Sequence, residues 1–266
     1  MTLPYITPKQ QEIIKLLYKF RFLNRTQVQA LLNHKYHKRI IDWLNDLTKK
    51  EYIEKIPKDN TFEQRTKPMI YRIGINGIRF LKTQDDLSMD VIRKLYRDGK
   101  REESFREKCI LIADAALNLI EKSLSVPGLT YLFETINDYA NEASFFHFLA
   151  ETEIKPPLCF VKQKKNKKTY FILDVFDETL PAYRIRKRLK NYFEFYYSGE
   201  WENNVSKTFP VILFICPTKA SLIYAKRYAL RLLEENQDPD DLYIRFATVD
   251  EVKELGVTSE IWEEAE

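Results

Sequence analysis

The sequence predicts an α+β protein with two parts, a helical first third that ends in a β-ribbon and a later part in which strands and helices alternate. Three observations predict this arrangement. Apolar residues recur with helical spacing through residues 8–51, short apolar runs flank a polar stretch between residues 52 and 73, and strongly apolar strands alternate with amphipathic helices after residue 158. The length of 266 residues fits two domains better than one.

Three helices are predicted for the first 51 residues, each from an apolar stripe with helical spacing. Thr7 is the predicted cap of the first helix and is followed by a proline, which suits a first helical position. Asn24 is the predicted cap of the second helix, with Gln27 three residues later in a capping-box arrangement. The helices are predicted over Pro8–Phe20, Thr26–Asn33 and Tyr36–Glu51.

A β-ribbon is predicted to follow, with strands over Tyr52–Pro57 and Met69–Ile73. The residues between these strands are polar and cationic, as in a wing that lies along phosphates or in the minor groove. A helix, a short helix, a longer helix and a ribbon in this order indicate a winged helix-turn-helix, a unit that holds DNA.

The third predicted helix has an apolar face, which includes Ile40, Leu44 and Leu47, and an opposite polar face. Arginine can donate two hydrogen bonds to guanine, asparagine can pair with adenine, and lysine mostly holds phosphate. An ordinary surface helix is the alternative, but the position between a short helix and a ribbon favours major-groove binding. The predicted DNA-binding residues of this part are Lys35, Lys38, Arg39, Asn45, Lys58, Arg65 and Lys67.

Positive charge is concentrated in two blocks, although the net formal charge is only +4. Residues 1–82 hold 17 Lys and Arg against 7 Asp and Glu, and residues 155–190 hold 11 against 3. Two basic blocks in a nearly neutral chain indicate two surfaces for a polyanion, whereas lysine-rich faces that only solvate the protein are the alternative.

The second basic block includes a helix predicted over Tyr183–Tyr197, whose other face is aromatic. Its cations are predicted to follow a nucleic-acid backbone, with Arg184, Lys187 and Arg188 as the contact residues. The alternative is a core helix whose long cationic side chains extend past apolar neighbours to water.

The cysteines and histidines argue against several chemistries. Cys109, Cys159 and Cys216 are odd in number and far apart, which argues against a disulfide scaffold or a zinc cluster. Three histidines are too few for a histidine metal site, and neither nucleotide-binding fingerprints nor Ser/His/Asp arrangements occur. No signal peptide is evident, and no apolar run approaches the roughly 20 residues of a membrane span, so a cytoplasmic protein without a membrane partner is expected.

One acidic cluster, Asp174, Asp177 and Glu178, lies at the end of a strand predicted over Thr169–Phe176. Carboxylates at the end of a buried strand can bind Mg²⁺, which can activate water for phosphodiester cleavage. Alternatively, these acids form a turn and cap the next helix. One cluster does not provide the converging ligands of a metal site, so no cofactor is predicted, and Mg²⁺ enters only under a nuclease alternative that uses Asp174 and Asp177.

Six segments, in order along the chain, together carry a family resemblance. They read TPKQQEIIKLLYKFRFL, QVQALL, LNDLTKKEYI, YFILDVFDET, KNYFEFYYSG and FPVILFICPT. Taken together they resemble the replication-relaxation family of plasmid and mobile-element proteins. The resemblance covers most of residues 7–235, and the ordered combination is more specific than the first three segments alone.

The resemblance implies a DNA-binding protein of plasmid replication or transfer, in which a winged helix precedes a domain similar to a restriction-endonuclease-like core. Such a core carries an Asp on one strand, and an acid followed by Lys on the next. Here Pro157 replaces the first Asp and Phe176 stands in place of the Lys, while Asp174 keeps the strand acid. These departures imply a degenerate core that is kept for binding or assembly.

The predicted organisation is a winged helix-turn-helix over residues 1–83, a helical linker or packing region over 84–125 and an α/β domain over 126–266. The predicted function is binding of double-stranded DNA in plasmid replication, relaxosome assembly or transcriptional control, without catalysis. One alternative is the magnesium-dependent nuclease or nicking accessory. The other is an interaction module for a relaxase or replication initiator, with the acidic tail Glu251–Glu266 free to contribute. A homodimer through the helix predicted over Ser104–Ser123 is also considered.

Overall fold

The computed structural model describes residues 2–57, 66–85, 87–205, 208–237, 239 and 241–265. It is a mixed α+β structure with two sheets. The chain forms two compact units, the first comprising the chain up to Leu117 together with Ala140–Glu142, and the second comprising Asn118–Tyr139 and the chain from Ala143 onward.

The first unit is built from helices around a three-stranded antiparallel sheet of order β1-β3-β2. Its elements are α1 (Pro8–Phe20), β1 (Phe22–Asn24), α2 (Arg25–Leu31), α3 (His37–Lys49), β2 (Ile53–Lys55), β3 (Ile70–Ile73), α4 (Ile75–Leu81), α5 (Met89–Leu95), a 3₁₀ turn (Asp98–Lys100) and the first part of α6 (Glu103–Ser125).

The predicted helix over Pro8–Phe20 is confirmed residue for residue, and α2 and α3 end within two residues of their predicted limits. Strand β1 was not predicted, because its three residues are too few to show a period of two. Helix α4 begins at Ile75, directly after Gly74, and Gly77 is one of its residues. Glycine is needed there because a Cβ on Gly77 would collide with the carbonyl oxygen of Tyr52.

Gln10 joins α1 to α3 from a buried position. Its Oε1 accepts a hydrogen bond from the backbone N–H of Thr7 at 2.9 Å, and the Thr7 hydroxyl accepts one from the backbone N–H of Gln10, which completes a capping box. The side-chain Nε2 then donates to Asp46 on α3 at 2.7 Å. The side-chain amide of Gln10 therefore caps the N-terminus of α1 and also anchors α3.

Gln27 does the same for α2. Its Oε1 accepts from the backbone N–H of Asn24 at 3.0 Å, so the predicted capping box is confirmed. Its Nε2 donates to the carboxylate of Asp114 at 2.7 Å and to the carbonyl oxygen of Ile110 at 2.9 Å, both on α6. Only 2% of Gln27 is exposed, so these bonds replace the water that its amide loses on burial.

Arg21, directly after α1, is held by another carboxylate of the same unit. Its guanidinium donates two hydrogen bonds to the carboxylate of Asp98, which is almost completely buried. A buried carboxylate is costly without a partner, so this pair fixes the end of α1 against the 3₁₀ turn.

The second unit contains a six-stranded mixed sheet of order β4-β5-β6-β7-β8-β9. The pairs β6–β7 and β7–β8 are parallel, whereas the other neighbours are antiparallel. Its elements after α6 are β4 (Leu129–Thr135), a 3₁₀ turn (His147–Ala150), β5 (Leu158–Lys164), β6 (Lys167–Val175), α7 (Ala182–Tyr197), α8 (Glu200–Asn204), β7 (Val211–Cys216), α9 (Lys219–Glu235), β8 (Ile244–Thr248), α10 (Val249–Leu255) and β9 (Glu263–Glu264).

One face of this sheet forms the main core. Side chains that alternate along β5, β6, β7 and β8 pack with apolar residues of α7 and α9 in one cluster. The predicted alternation of strands and helices in this part of the chain is confirmed.

The stretch Asn137–Leu149 contains turns and the start of the 3₁₀ turn, and the carboxylate of Glu134 accepts hydrogen bonds there from the backbone N–H groups of Phe145 and Phe146.

One expectation for the second unit is wrong. The acidic tail is not free. Its acids cap α10 or pair with cations, and the residues engaged are Glu251, Glu263 and Glu264.

Within the described ranges, no helix is both long and apolar enough to cross a membrane.

Replacing Gln27 with alanine should lower the free energy of unfolding of the first unit by about 2 kcal/mol, because the substitution leaves the backbone N–H of Asn24 without its acceptor and removes the bonds from the Gln27 amide to α6. Gln11→Ala is the matched control, since Gln11 lies in α1 and takes no part in the capping box. Chemical denaturation followed by circular dichroism measures both. Equal effects of the two substitutions would contradict a special role for Gln27.

Candidate nucleic-acid interface

Helix α3 presents a polar face because its apolar face is completely covered. Ile40, Leu44 and Leu47 have no exposed surface, whereas Lys38 and Asn45 on the other side are exposed. Burying three large aliphatic side chains contributes roughly 1.5–3 kcal/mol each, which is enough to fix the rotation of the helix about its axis. The direction of the polar face is therefore set by the core.

The polar face of α3 forms one stripe at i, i+4, i+7 and i+11. It consists of Lys38, Asp42, Asn45 and Lys49, which are all exposed. Lys35 and Arg39 are also exposed beside this stripe. Asp42 opposes phosphate binding at its own position, so the stripe combines cations with groups suited to base edges rather than forming a uniform basic surface.

Asn45 is oriented by a residue that the sequence reasoning missed. Its Oδ1 accepts a hydrogen bond from the ammonium group of Lys55 on β2 at 2.9 Å. The bond leaves the Nδ2 group of Asn45 as the donor end of the amide. Lys55 lies ten residues away on a strand of mixed charge, and nothing in the linear sequence marked it as a neighbour of α3.

Aromatic rings meet at the start of α3. The ring of His34 lies 5.0 Å from that of Trp43 and 6.2 Å from that of Tyr36, and the guanidinium carbon of Arg39 lies 5.5 Å above Trp43. Tyr36 is 70% exposed. The cation–π contact limits the motion of Arg39 while leaving its side chain on the surface.

The remaining predicted contact residues of this unit are divided by what the structure describes. Lys67 is exposed and lies three residues before β3 begins at Ile70. Lys58 and Arg65 lie outside the described residues.

In the second unit, Asp174 lies at the end of β6 and is 1% exposed. Arg188 on α7 donates from Nε to its Oδ2 at 2.5 Å, and the hydroxyl of Tyr192 donates to the same oxygen at 3.0 Å. The other oxygen accepts from the backbone N–H of Val175 at 2.8 Å. The buried charge of Asp174 is thus compensated by the guanidinium of Arg188. Without such a partner, burial of the carboxylate would be strongly destabilising.

The contact with Asp174 raises the pKa of both side chains that bind it. Burial lowers the pKa of Arg188, but the adjacent Asp174 outweighs burial, so the pKa of the guanidinium is raised. Burial and the nearby Asp174 also raise the pKa of the Tyr192 hydroxyl well above its ordinary value. Arg188 therefore stays positive and Tyr192 stays a neutral donor.

This arrangement does not fit a magnesium site. Both oxygens of Asp174 are engaged by protein donors, and the following Phe176 is buried and stacks on Phe214 with ring centroids 4.9 Å apart. Asp177 is partly exposed in the loop after β6. In the part of the chain that the structure describes, no three His, Cys, Asp or Glu side chains are grouped to hold a metal ion.

The predicted contact residues on α7 fall into two kinds. Arg184 and Lys187 are exposed, and the Nε of Arg184 donates to the hydroxyl of Tyr183 at 3.2 Å. Arg188 is turned to the buried carboxylate of Asp174 instead. Only the first two are therefore presented to solvent in the way that a nucleic-acid contact requires.

The two units together define a mixed α+β protein with two sheets, in which exposed cations gather on α3 and α7. The chain belongs to the replication-relaxation family, whose model matches residues 14–212. The expected family is therefore confirmed, and membership suggests a role in the replication or relaxation of plasmids or mobile elements.

Solved structures add only a distant likeness. The restriction endonuclease FokI matches with 13% identity and a TM-score of 0.29 over 93% of this chain and 43% of that one. FokI bound to DNA matches with 13% identity and a TM-score of 0.27 over 93% of this chain and 44% of that one. The chain thus spans less than half the length of these proteins, and TM-scores this low do not establish a shared fold. No curated protein matches the chain.

Replacing Arg188 with methionine should cost about 3–5 kcal/mol of stability in the second unit, because it leaves the buried carboxylate of Asp174 without a cationic partner. Adding Asp174→Asn should recover much of the loss, since the amide still accepts from Tyr192 without carrying a charge. Arg184→Met is the control at an exposed position. Urea unfolding measures all of them, and an Arg188→Met protein as stable as the control would refute the structural role of the pair.

Proposed function

We propose that this chain binds double-stranded DNA through α3 in the replication or relaxation of plasmids or mobile elements, and that it does not itself cleave DNA. The observation that carries the proposal is the exposed face of α3, where cations and an oriented asparagine stand on a helix whose opposite face is fully buried. Family membership supports the biological setting.

We assign the first unit to the winged helix-turn-helix class. The supporting observation is the order α1, β1, α2, α3, β2, β3, with β2 and β3 paired as an antiparallel ribbon. In this arrangement α3 is the recognition helix and α2 crosses the DNA backbone. The wing would lie between β2 and β3, in a stretch that includes Lys58 and Arg65 outside the described residues.

The exposed residues of α3 suit both kinds of DNA contact. Lys35 and Lys38 would hold phosphates, while Arg39 would donate to guanine and Asn45 to an adenine edge. Lys55, which already binds Asn45, would support the amide in place. The excess of 17 Lys and Arg over 7 Asp and Glu in residues 1–82 supplies the general attraction to DNA.

The second unit would hold additional DNA and recruit the enzyme that acts on it, a relaxase or a replication initiator. Arg184 and Lys187 are the exposed cations proposed for the DNA contact. The meander β4–β5–β6, followed by α7 and the parallel strand β7, is the basis for proposing a degenerate restriction-endonuclease-like core. The closed contact of Asp174 with Arg188 argues against a working metal centre there.

Arg39→Ala should weaken binding to a duplex selected from random sequences by about 10-fold, because it removes a proposed base contact. Lys38→Ala should weaken all duplexes alike and reduce the steepness of the salt dependence. Arg93→Ala is the matched control, since Arg93 is an exposed arginine on α5. Gel-shift titrations at several salt concentrations measure each variant.

Duplex binding that is absent, or that does not change with salt, would refute the proposal. If Arg39→Ala and Arg93→Ala had equal affinity and sequence preference, Arg39 would be removed from the set of reading residues.

Supercoiled plasmid incubated with the protein and Mg²⁺ should remain supercoiled, because Asp174 is occupied by Arg188 and Tyr192. Agarose electrophoresis separates nicked from intact plasmid. Nicking that disappears in Asp174→Ala, while Asp241→Ala still nicks, would establish the nuclease alternative; Asp241 is a carboxylate held by Tyr196 elsewhere in the unit.

A further inference from the structure

A pocket of about 510 Å³ lies on the second unit's six-stranded sheet, on the face opposite to the core under α7 and α9. Its floor is formed by side chains such as Phe160, Phe171 and Leu213, which alternate along their strands with core residues. The segment after α10, including Trp262, forms a wall. The volume is within the roughly 300–1,000 Å³ of pockets that enclose small ligands.

Four aromatic side chains line this pocket: Tyr131, Phe160, Phe171 and Trp262. The rings of Phe160 and Phe171 are stacked, with centroids 4.8 Å apart and planes inclined by 10°. The indole of Trp262 is held by a hydrogen bond from its Nε1 to the carbonyl oxygen of Val257 at 3.0 Å. Phe160 is 3% exposed and belongs to the floor, whereas Tyr131, Phe171 and Trp262 are partly exposed and can stack on a planar aromatic ligand.

Two cationic side chains of the pocket have donors that are not used. Lys162 has no hydrogen-bond or ion-pair partner for its ammonium group among the described residues. Arg245 pairs with Glu264 through one terminal nitrogen, but its buried Nε lacks a hydrogen-bond partner within the described part of the chain. A buried donor without a partner is unusual, and an acceptor atom on a ligand would satisfy it.

A cationic hairpin adjoins the pocket. Lys164 follows Lys162 by two residues on β5, so both side chains leave the same face of the sheet. The turn from β5 to β6 adds the exposed Lys165, and the exposed Lys167 pairs with Lys164 on the same face. Lys168 is also exposed but alternates with Lys167 and leaves the opposite face. Positive charge is therefore continuous from the pocket onto the hairpin.

The acids of the pocket decide which part of a ligand enters. Glu260 and Glu264 line the pocket and offset the charges of Lys162 and Arg245, so the interior is not selective for an anion. A neutral aromatic group with hydrogen-bond acceptors suits the interior, and negative charge suits the hairpin outside it. A nucleotide of a nucleic-acid strand combines a neutral aromatic base, which suits the interior, with negatively charged phosphates, which suit the hairpin.

We propose that this pocket binds an unpaired base of a single-stranded nucleic acid, while the lysines of the β5–β6 hairpin hold the neighbouring phosphates. The base stacks on the aromatic walls and places an acceptor at the Nε of Arg245. A charged track combined with aromatic platforms is the arrangement that binds single strands with little sequence preference. The proposal goes beyond duplex binding by α3 and does not require it.

The test uses the full chain and a fluorescein-labelled thymidine oligonucleotide of about 12 nucleotides, a length typical of such sites. Trp262→Leu should weaken binding by about 10-fold, since stacking on one aromatic side chain contributes about that much. Lys162→Gln should also weaken binding by about 10-fold, because it removes a charged hydrogen-bond donor from the pocket. Tyr197→Leu and Lys253→Gln are the matched controls at exposed positions outside the pocket, and should bind normally. Fluorescence anisotropy measures all five proteins.

An abasic oligonucleotide of the same length separates stacking from charge. The proposal requires that it bind clearly more weakly than the thymidine strand, and equal affinity would overturn it. A uridine RNA of the same length assigns the strand to RNA or DNA, and tighter binding of either supports the pocket. Lys162→Gln keeps the test decisive if Trp262→Leu unfolds, which thermal unfolding would reveal.

The fluorescence of Trp262 reports occupancy of the pocket directly. In a Trp43→Phe chain the remaining tryptophans are the partly exposed Trp262 and the buried Trp201, so the thymidine strand should quench the fluorescence of Trp262. The quenching should persist when Lys38 and Arg39 are both replaced by alanine, even if duplex binding is lost. Saturated binding without quenching would overturn the proposal, whereas loss of duplex binding alone would affect only the role of α3.

Discussion

The pair formed by Asp174 and Arg188 is the constraint on which the second unit depends. A carboxylate that is 1% exposed at the end of a strand requires a cation, and α7 brings that cation by packing its apolar side on the sheet. The same bond that permits burial also occupies the acid. At the end of β6, the carboxylate of Asp174 therefore binds Arg188 instead of a metal ion. The exposed polar and aromatic groups of the unit lie elsewhere, on the β5–β6 hairpin and on the opposite face of the sheet.

In the first unit, by contrast, polar groups at the surface are held in fixed positions. This is achieved by burying other polar groups behind them. Gln10 and Gln27 close the ends of α1 and α2 and reach acids on α3 and α6, while Ile40, Leu44 and Leu47 fix the rotation of α3. The exposed stripe with Lys38 and Asn45 is therefore presented by a scaffold that is held by buried glutamine side chains and by a buried apolar face of α3.

Elements with strong local signals could be predicted from the sequence. Helix α1 has a proline start and a capping box, so its bounds were predicted correctly. Strands β1 and β9 have three and two residues, and α8 has five, which is too short for a period to be visible. The bond from Lys55 to Asn45, the pair of Arg188 with Asp174 and the pocket beside Trp262 each join different elements. Tertiary packing creates these sites, and local spacing does not encode them.

The acids that hold Arg21 and Gln27 come from Asp98 and Asp114, well after the last strand of the three-stranded sheet. A protein fragment that ended at Thr83 would retain the whole sheet and α3, yet it would lack both acids. Its α2 would lose the anchor of a buried amide, and its α1 would end in an unmatched guanidinium. A fragment that keeps both acids must therefore extend into α6 at least as far as Asp114.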